Sequence, residues 1–356
     1  MSENHLFAHS SRRRGSGAFR WPLFLIVFLL GFSLFVPTNY YVTRPGSAIE
    51  LGPIIDVEGG TKSKAGSFML TTVRMGEANL AWYLYAQLSP DAELLPRQQV
   101  VSEGEDNEDF VRREQAAMDN SQKTAEAVAF RMAGYDVEIE KQGVWVMGTI
   151  EGLPAKGVLR VGDVITAVDG VPTMEASVLQ GMLAEKRAGD EVEITYKRGG
   201  EETTAVLSLG QLPGSQTPGI GIRTDTKQNI IIPQDVTITS NGIGGPSAGL
   251  MMTLEIYDQL QTDINLTKGY RVAGTGTISL EGTVGRIGGI HQKIVAAHNA
   301  GAEIFFAPDD LPGDERSNYR EALATAERIG TAMKVVPVHT IEDAIAYLRE
   351  QTEKHS

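Results

Sequence analysis

The chain has 356 residues, no cysteine, 39 glycines and a formal net charge of −13. That length holds two ordinary domains and an apolar anchor. The missing cysteine excludes a thiol nucleophile, a disulfide framework and cysteine-ligated zinc. The acidic balance argues against a general nucleic-acid binder.

The N-terminus runs against that balance. Arg12, Arg13, Arg14 and Arg20 precede the apolar run Trp21 to Val36. Sixteen residues at ~1.5 Å each give roughly 24 Å of helix, and Ala18 with Phe19 bring it nearer the ~30 Å of a hydrocarbon core. Pro22 falls in the first turn, where its missing N–H costs least. Trp21 and Tyr40-Tyr41 are placed like interfacial aromatics, and the arginines favour a cytoplasmic N-terminus. The reading is a basic cytoplasmic tail over 1–20 and a single-pass transmembrane helix over 21–38, with the rest outside the cytoplasm at the cell membrane. A cleaved signal peptide is the alternative, but Phe32-Ser33-Leu34-Phe35-Val36-Pro37 offers no small-x-small site.

The segment 39–134 is expected to be extracytoplasmic and to pack on a later domain. Tyr40 to Pro53 is polar and turn-rich. Gly66 to Val73 reads as a strand, and Leu80 to Leu88 as a short helix. The acidic run Ser102 to Asp109 reads as a solvated loop. Ala116, Ala127, Ala129, Phe130 and Met132 mark the apolar face of a helix over Gln115–Gly134.

From Tyr135 the texture is β-rich. Strands are expected over Tyr135–Glu140 and Val144–Ile150, and Asp169-Gly170 signals a hairpin turn. Met174–Lys186 is an amphipathic helix, and Glu191–Tyr196 pairs with Thr203–Leu209 across Gly199-Gly200. Gln211 to Gly219, rich in proline, glycine and serine, reads as a linker. Beyond it, strands near Val236, Arg271 and Ile304 alternate with helices over Ser247–Leu260, His291–Ala300, Tyr319–Ile329 and Ile341–Leu348. Such alternation indicates α/β or α+β material with mixed sheets.

The most informative stretch is Asn241-Gly242-Ile243-Gly244-Gly245-Pro246-Ser247-Ala248-Gly249-Leu250. A serine stands where glycine-rich backbone meets an apolar helix, and Pro246 presets φ for helix entry. The free N–H groups there can hold an oxyanion, with the amides of Gly245, Ser247 and Ala248 as candidates. Lys293 follows the turn Ile287-Gly288-Gly289 in the first turn of a second helix. A serine hydroxyl needs a base, and lysine serves only when neutral, far below its usual pKa of ~10.4. Burial and the positive pole of a helix N-terminus both disfavour an ammonium. Ser247 and Lys293 can thus form a nucleophile–base pair. His291 sits two positions away and faces elsewhere on the helix. No His-Glu-x-x-His segment is present, and no metal or other cofactor is called for.

Two resemblances sharpen this. Gly143-Val144-Trp145-Val146, Pro154-Ala155, Leu159-Arg160-Val161-Gly162-Asp163-Val164-Ile165 and Val168-Asp169-Gly170 resemble a bacterial protease-associated PDZ domain, over 135–210. Such domains bind extended peptides along an exposed strand edge. The resemblance implies an edge at Gly143, Val144, Trp145 and Val146, opposite the helix Met174–Lys186, with Val178, Met182 and Leu183 as pocket candidates. Trp145 departs from the pattern and would narrow the groove.

The second resemblance is to the proteolytic domain of Lon proteases, over 219–350. It rests on Gly244-Gly245-Pro246-Ser247-Ala248-Gly249 and on the ungapped block Thr275 to Lys293. It implies Ser247 as nucleophile, Lys293 as base and Thr275 as partner of the lysine amine. Gly244 stands where the family typically has aspartate. No Gly-x-x-x-x-Gly-Lys-Ser/Thr segment occurs, so no ATPase module is expected.

The order of anchor, PDZ unit and Lon-like unit resembles the membrane-anchored PDZ–Lon-like proteases. The expected fold is α+β: a transmembrane helix, a PDZ domain (a small β-barrel with helices) and a Lon-type α/β domain with mixed sheets. The expected partners are peptides or unfolded proteins and the membrane, without nucleic acid or ATP; an oligomer is left open. The alternative is a membrane-held PDZ adaptor with an idle Lon-like domain.

Overall fold

A computed structural model describes residues 20–354, apart from 64, 102–106, 213–216, 241, 262–263, 312 and 315. The basic tail, most of the acidic run and the middle of the 211–219 linker lie outside the described residues. The first element is helix α1 (Arg20–Ser33). It is 14 residues long, and no helix among the described residues is long and apolar enough to cross a membrane. The helix expected over 21–38 is therefore shorter. Pro37 disfavours helical geometry in the residue before it, and strand β1 (Pro37–Glu50) starts there.

That strand corrects the turn-rich reading of 40–53. Pro45 to Ala48 marks a register shift against β3 (Ser67–Asn79), so the Pro-Gly-Ser signal is a bulge inside a strand. A Cβ on Gly46 would lie 2.3 Å from Thr72 Oγ1, so only glycine allows the approach.

β1 and β3 are central strands of one six-stranded sheet. Its order is β18 (Lys334–Val338), β17 (Ile304–Pro308), β14 (Arg271–Gly274), β3, β1 and β4 (Glu93–Pro96). The four strands from β18 to β3 run parallel, β1 is antiparallel to them, and β4, antiparallel to β1, returns to their direction. The N-terminal segment is thus built into the sheet rather than laid upon it, and the PDZ-like unit is inserted between the two halves of that sheet.

The sheet is covered on both faces, which explains the unbroken apolar run Ile304-Phe305-Phe306-Ala307. Phe68, Leu70, Ile304 and Phe306 share a core with helices α4 (Asn107–Met132), α6 (Gly249–Leu260) and α9 (Ile341–Glu350). Met69, Ala273, Phe305 and Ala307 pack on the other face with α7 (Ile290–Asn299) and α8 (Asn318–Ile329). Helices α2 (Leu80–Leu88) and α3 (Arg97–Val100) flank β4. α4 begins well before the expected Gln115, and its amphipathic stripe reaches Phe130.

The inserted unit is an antiparallel sheet in the order β12 (Ile222–Ile231), β5 (Glu138–Thr149), β6 (Val164–Val168), β8 (Glu191–Arg198) and β9 (Glu201–Ser208), with β7 (Val171–Pro172) beside β6. Helix α5 (Ala176–Ala184) closes its core on Leu179 and Leu183. Asp163 is 1% exposed and accepts from Arg198 Nε and Nη2 at 2.8 and 2.6 Å, which ties the Gly162-Asp163 turn to β8. Three short pairs complete the fold: β2 (Ile55–Val57) with β13 (Val236–Ile238), which ties the N-terminal segment to the chain after the inserted unit, and the local pairs β10 (Gly210–Gln211) with β11 (Pro218–Gly219) and β15 (Thr277–Ile278) with β16 (Val284–Gly285).

α6 carries buried polar groups with structural work. Gln259 donates to Ile55 O and accepts from Val57 N, clamping β2. It also donates to Glu255 at 2.7 Å. Burial pushes the Glu255 carboxyl up to about 7. Between about pH 4.5 and 7 the folded state then holds a proton that the unfolded state has released, so this group's contribution to stability falls as pH rises through that window. The parent should lose stability relative to Glu255→Gln as pH is raised from 5 to about 7, read from urea unfolding midpoints. Parallel midpoints across that range would remove the assignment.

Candidate active site

Pro246 and Ser247 lie in the turn before α6, which starts at Gly249 rather than at Ser247. The turn is fixed from two sides. Thr275 Oγ1 donates to Ser247 O at 2.9 Å and Gly276 N donates to the same oxygen at 2.9 Å, so the end of β14 holds it from below. From α4, Ser121 Oγ donates to Pro246 O at 3.0 Å. On the facing wall Gly289 has φ 68° and starts α7. That left-handed geometry favours glycine, and a Cβ there would lie 2.8 Å from Val73 Cγ2.

Lys293 is 3% exposed, and its Nζ lies 2.7 Å from Ser247 Oγ. Its other two neighbours are Thr71 O and Thr275 Oγ1, each at 3.0 Å. The directions of these bonds follow from valence. Thr71 O can only accept. Thr275 spends its hydroxyl hydrogen on Ser247 O, so towards the lysine it accepts. A neutral amine has two N–H bonds and one lone pair. Both N–H bonds are thus directed away from Ser247, and the lone pair is left facing its Oγ. Burial lowers the Lys293 pKa to about 7. No carboxylate contacts the amine in the described structure, and nothing there restores its charge.

The three amides proposed for an oxyanion differ. Gly245 N donates to Glu114 O of α4 at 2.8 Å, so that N–H is already used. The N–H groups of Ser247 and Ala248 have no hydrogen-bond acceptor among the described residues and remain at the mouth of the turn. Gly245 keeps a positional role: its φ is 86°. Glu114 also explains the glycine at 244, since a Cβ there would lie 2.9 Å from Glu114 Cβ. α4 occupies the space that an aspartate would need.

Ser247 and Lys293 open on a cleft of about 630 Å³ lined by β3, α4 and the turn that carries Ser247. Sequence reasoning missed two contributors. Thr71 acts through a main-chain carbonyl, for which no residue type is a signal. Glu114 lies one residue before the helix expected over Gln115–Gly134, in the part of α4 that the apolar pattern did not mark. His291 does not line the cleft; its Nε2 is 4.0 Å from Glu93. Among the described residues no group of three or more histidines and carboxylates is placed to hold a metal.

The peptide edge of the inserted unit lies elsewhere than expected. Gly143, Val144, Trp145 and Val146 belong to β5, which pairs with β12 on one side and β6 on the other. They offer no free edge, and Val144 and Val146 are fully buried. β12 is the edge strand on that side, and a groove of about 550 Å³ separates its start, with Gly219, Ile220 and Gly221 just before it, from α5. α5 presents Ser177, Gln180, Gly181 and Ala184 to it, and the candidate Leu183 lines it as well. Val178 and Met182 do not line it: Val178 points to solvent at 42% exposure, and Met182 Sδ accepts from Thr173 Oγ1 at 3.5 Å. The misassignment has a plain cause. The strand that completes this sheet follows the linker, where the sequence reads as the start of the next domain.

Comparison with known proteins bears on both units. Residues 131–209 match the PDZ domain family, and residues 216–350 match the Lon protease (S16) C-terminal proteolytic domain. Lon protease of Campylobacter concisus is 36% identical over 102 residues, 28% of this chain and 11% of that protein. Lon protease of Azospirillum brasilense is 32% identical over 156 residues, 44% of this chain and 18% of that protein. The chain spans less than a fifth of the length of these relatives. Among solved structures, the PDZ domain of an SdrC-like protein from Listeria monocytogenes is 34% identical, covering 24% of this chain and 92% of that chain, with a TM-score of 0.24. The chain therefore carries a PDZ domain and a Lon-type proteolytic domain, and the latter match suggests serine peptidase activity.

Proposed function

We propose that this protein is an ATP-independent serine endopeptidase, held at the membrane by its N-terminal apolar segment and acting on extracytoplasmic peptides or unfolded proteins. The observation that carries the reading is the hydrogen-bond set on Lys293, which leaves a lone pair directed at Ser247 Oγ. The Lys293 amine takes the hydroxyl proton as Ser247 Oγ attacks the scissile carbonyl. The Ser247 and Ala248 amides receive the oxyanion. The lysine ammonium then protonates the leaving amine, and a water activated by the same amine releases the acyl group from Ser247.

The cleft favours extended chains. β14 ends at Gly274 opposite Leu70, so β3 from Thr72 onward has no strand beside it on that side among the described residues. Thr72, Val73 and Met75 line the cleft there. A folded substrate cannot offer backbone to such an edge without local unfolding. The full chain should degrade an unfolded protein without nucleotide, and Ser247→Ala should abolish this in a gel-based assay; degradation that persists in the serine variant defeats the proposal.

The β12–α5 groove would recruit extended segments of the substrate. Gly181 lines it, and a Cβ there meets nothing within 4 Å, so a larger side chain fits the fold while filling the groove. Gly181→Leu should weaken binding of a peptide ligand about tenfold, near 1.4 kcal/mol. Calorimetry showing unchanged affinity would place recruitment elsewhere.

A further inference from the structure

α2 is an apolar helix without a cover. Its nine residues, LAWYLYAQL, include no charge, and none is buried. Leu84, Tyr85 and Leu88 are 51%, 49% and 87% exposed. The inner aromatics are fixed. Trp82 lies edge-on to Tyr85, with the Arg44 guanidinium 4.0 Å above its ring, and Tyr83 packs on Tyr40. An uncharged, aromatic-rich face of this kind is normally in contact with something.

Its position in the chain places it beside α1. Asn79 lies opposite Pro37 in the β1–β3 register, its Nδ2 donates to Leu34 O at 3.0 Å, and Leu80 N donates to Val36 O at 2.9 Å. The start of α2 is therefore hydrogen-bonded to the short link, residues 34–36, that follows α1. The described side chains from Leu23 to Leu29 are all more than half exposed. Exposed apolar side chains continue past the first helix at Leu34 and Phe35, 56% and 82% exposed, and resume on the second at Leu84.

We propose that α2 is an interfacial helix, its Leu84–Leu88 face lying in the headgroup–acyl boundary of the lipid bilayer that receives α1. This rests on the membrane reading of α1 given above. Tryptophan and tyrosine suit that boundary because one part of the ring is apolar and another hydrogen-bonds. Arg44, seated over Trp82, stands where an anionic headgroup would meet it. The docking fixes the height of the catalytic pair. Thr71, whose carbonyl holds Lys293, lies eight residues along β3 from Asn79 (79 − 71), an upper limit of about 26 Å at ~3.3 Å per residue. Substrate segments close to the membrane fall within that reach.

The absence of cysteine makes a direct test available. Full chains carrying Leu88→Cys, Leu25→Cys or Val206→Cys are labelled with a nitrobenzoxadiazole dye and mixed with phosphatidylcholine–phosphatidylglycerol vesicles. Val206, 60% exposed on the inserted unit, is the aqueous reference. The expected result is a blue shift and quenching by spin-labelled lipid at positions 25 and 88, with no change at 206. A dye in lipid at 25 but in water at 88 overturns the inference and leaves the anchor standing. Water at both positions overturns the anchor and the inference together. A disulfide between two copies through Leu88→Cys, without quenching at 88, assigns the face to a second chain instead of lipid.

Discussion

Lys293→Met is expected to lower kcat for peptide hydrolysis by about 10⁴-fold with little change in KM, because it removes the base and leaves the binding cleft intact. The site gives no substitute: Thr71 O and Thr275 Oγ1 cannot take the serine proton at neutral pH, and His291 is outside the cleft. Steady-state kinetics on a short fluorogenic peptide measure the loss, and a variant within tenfold of the parent would show that another group is the base. The same change has a thermodynamic signature. The folded pKa of Lys293 is about 7, below the 10.5 of the exposed side chain. Between those values the unfolded state binds more protons, so stability rises with pH over that window. The parent should therefore gain stability relative to Lys293→Met from about pH 7 to 10.

The second large effect is on the pH–rate profile. Only the neutral amine can accept the serine proton, so kcat/KM should rise about tenfold per pH unit below the Lys293 pKa and level off above it. With that pKa at about 7, activity at pH 5 should be about 100-fold below the plateau. Burial also lowers the His291 pKa, partly offset by Glu93, and a histidine could mimic such a limb. His291→Gln separates them: the inflection should stay in place in this variant. Its disappearance would transfer the base role to the imidazole.

Much of the candidate site was legible in the sequence because the chemistry proposed for it is local. The glycine-flanked Ser247 and the Gly288-Gly289 turn before Lys293 each announce a loop entering a helix, and both helices are found, α6 and α7. The core strand Ile304–Pro308 was equally plain, since a strand covered on both faces has no polar position. β1 was not legible, because Pro45-Gly46-Ser47 reads as a turn and becomes a bulge only when Thr72 packs against it. β12 was misplaced because strand pairing across a linker leaves no local mark.

The residues alone determined which groups could do chemistry: a hydroxyl and an amine in glycine settings, in a chain without thiols. Tertiary structure decided how those groups behave. It brings β3 beside the lysine, so that a main-chain carbonyl 222 residues away completes the hydrogen bonding of a buried amine. It turns α4 onto the turn that carries Ser247, where the Glu114 carbonyl uses one candidate amide and leaves two open. Side-chain identity is written in the sequence, whereas the loss of water around a charge, and the direction of a lone pair, exist only once distant segments have packed.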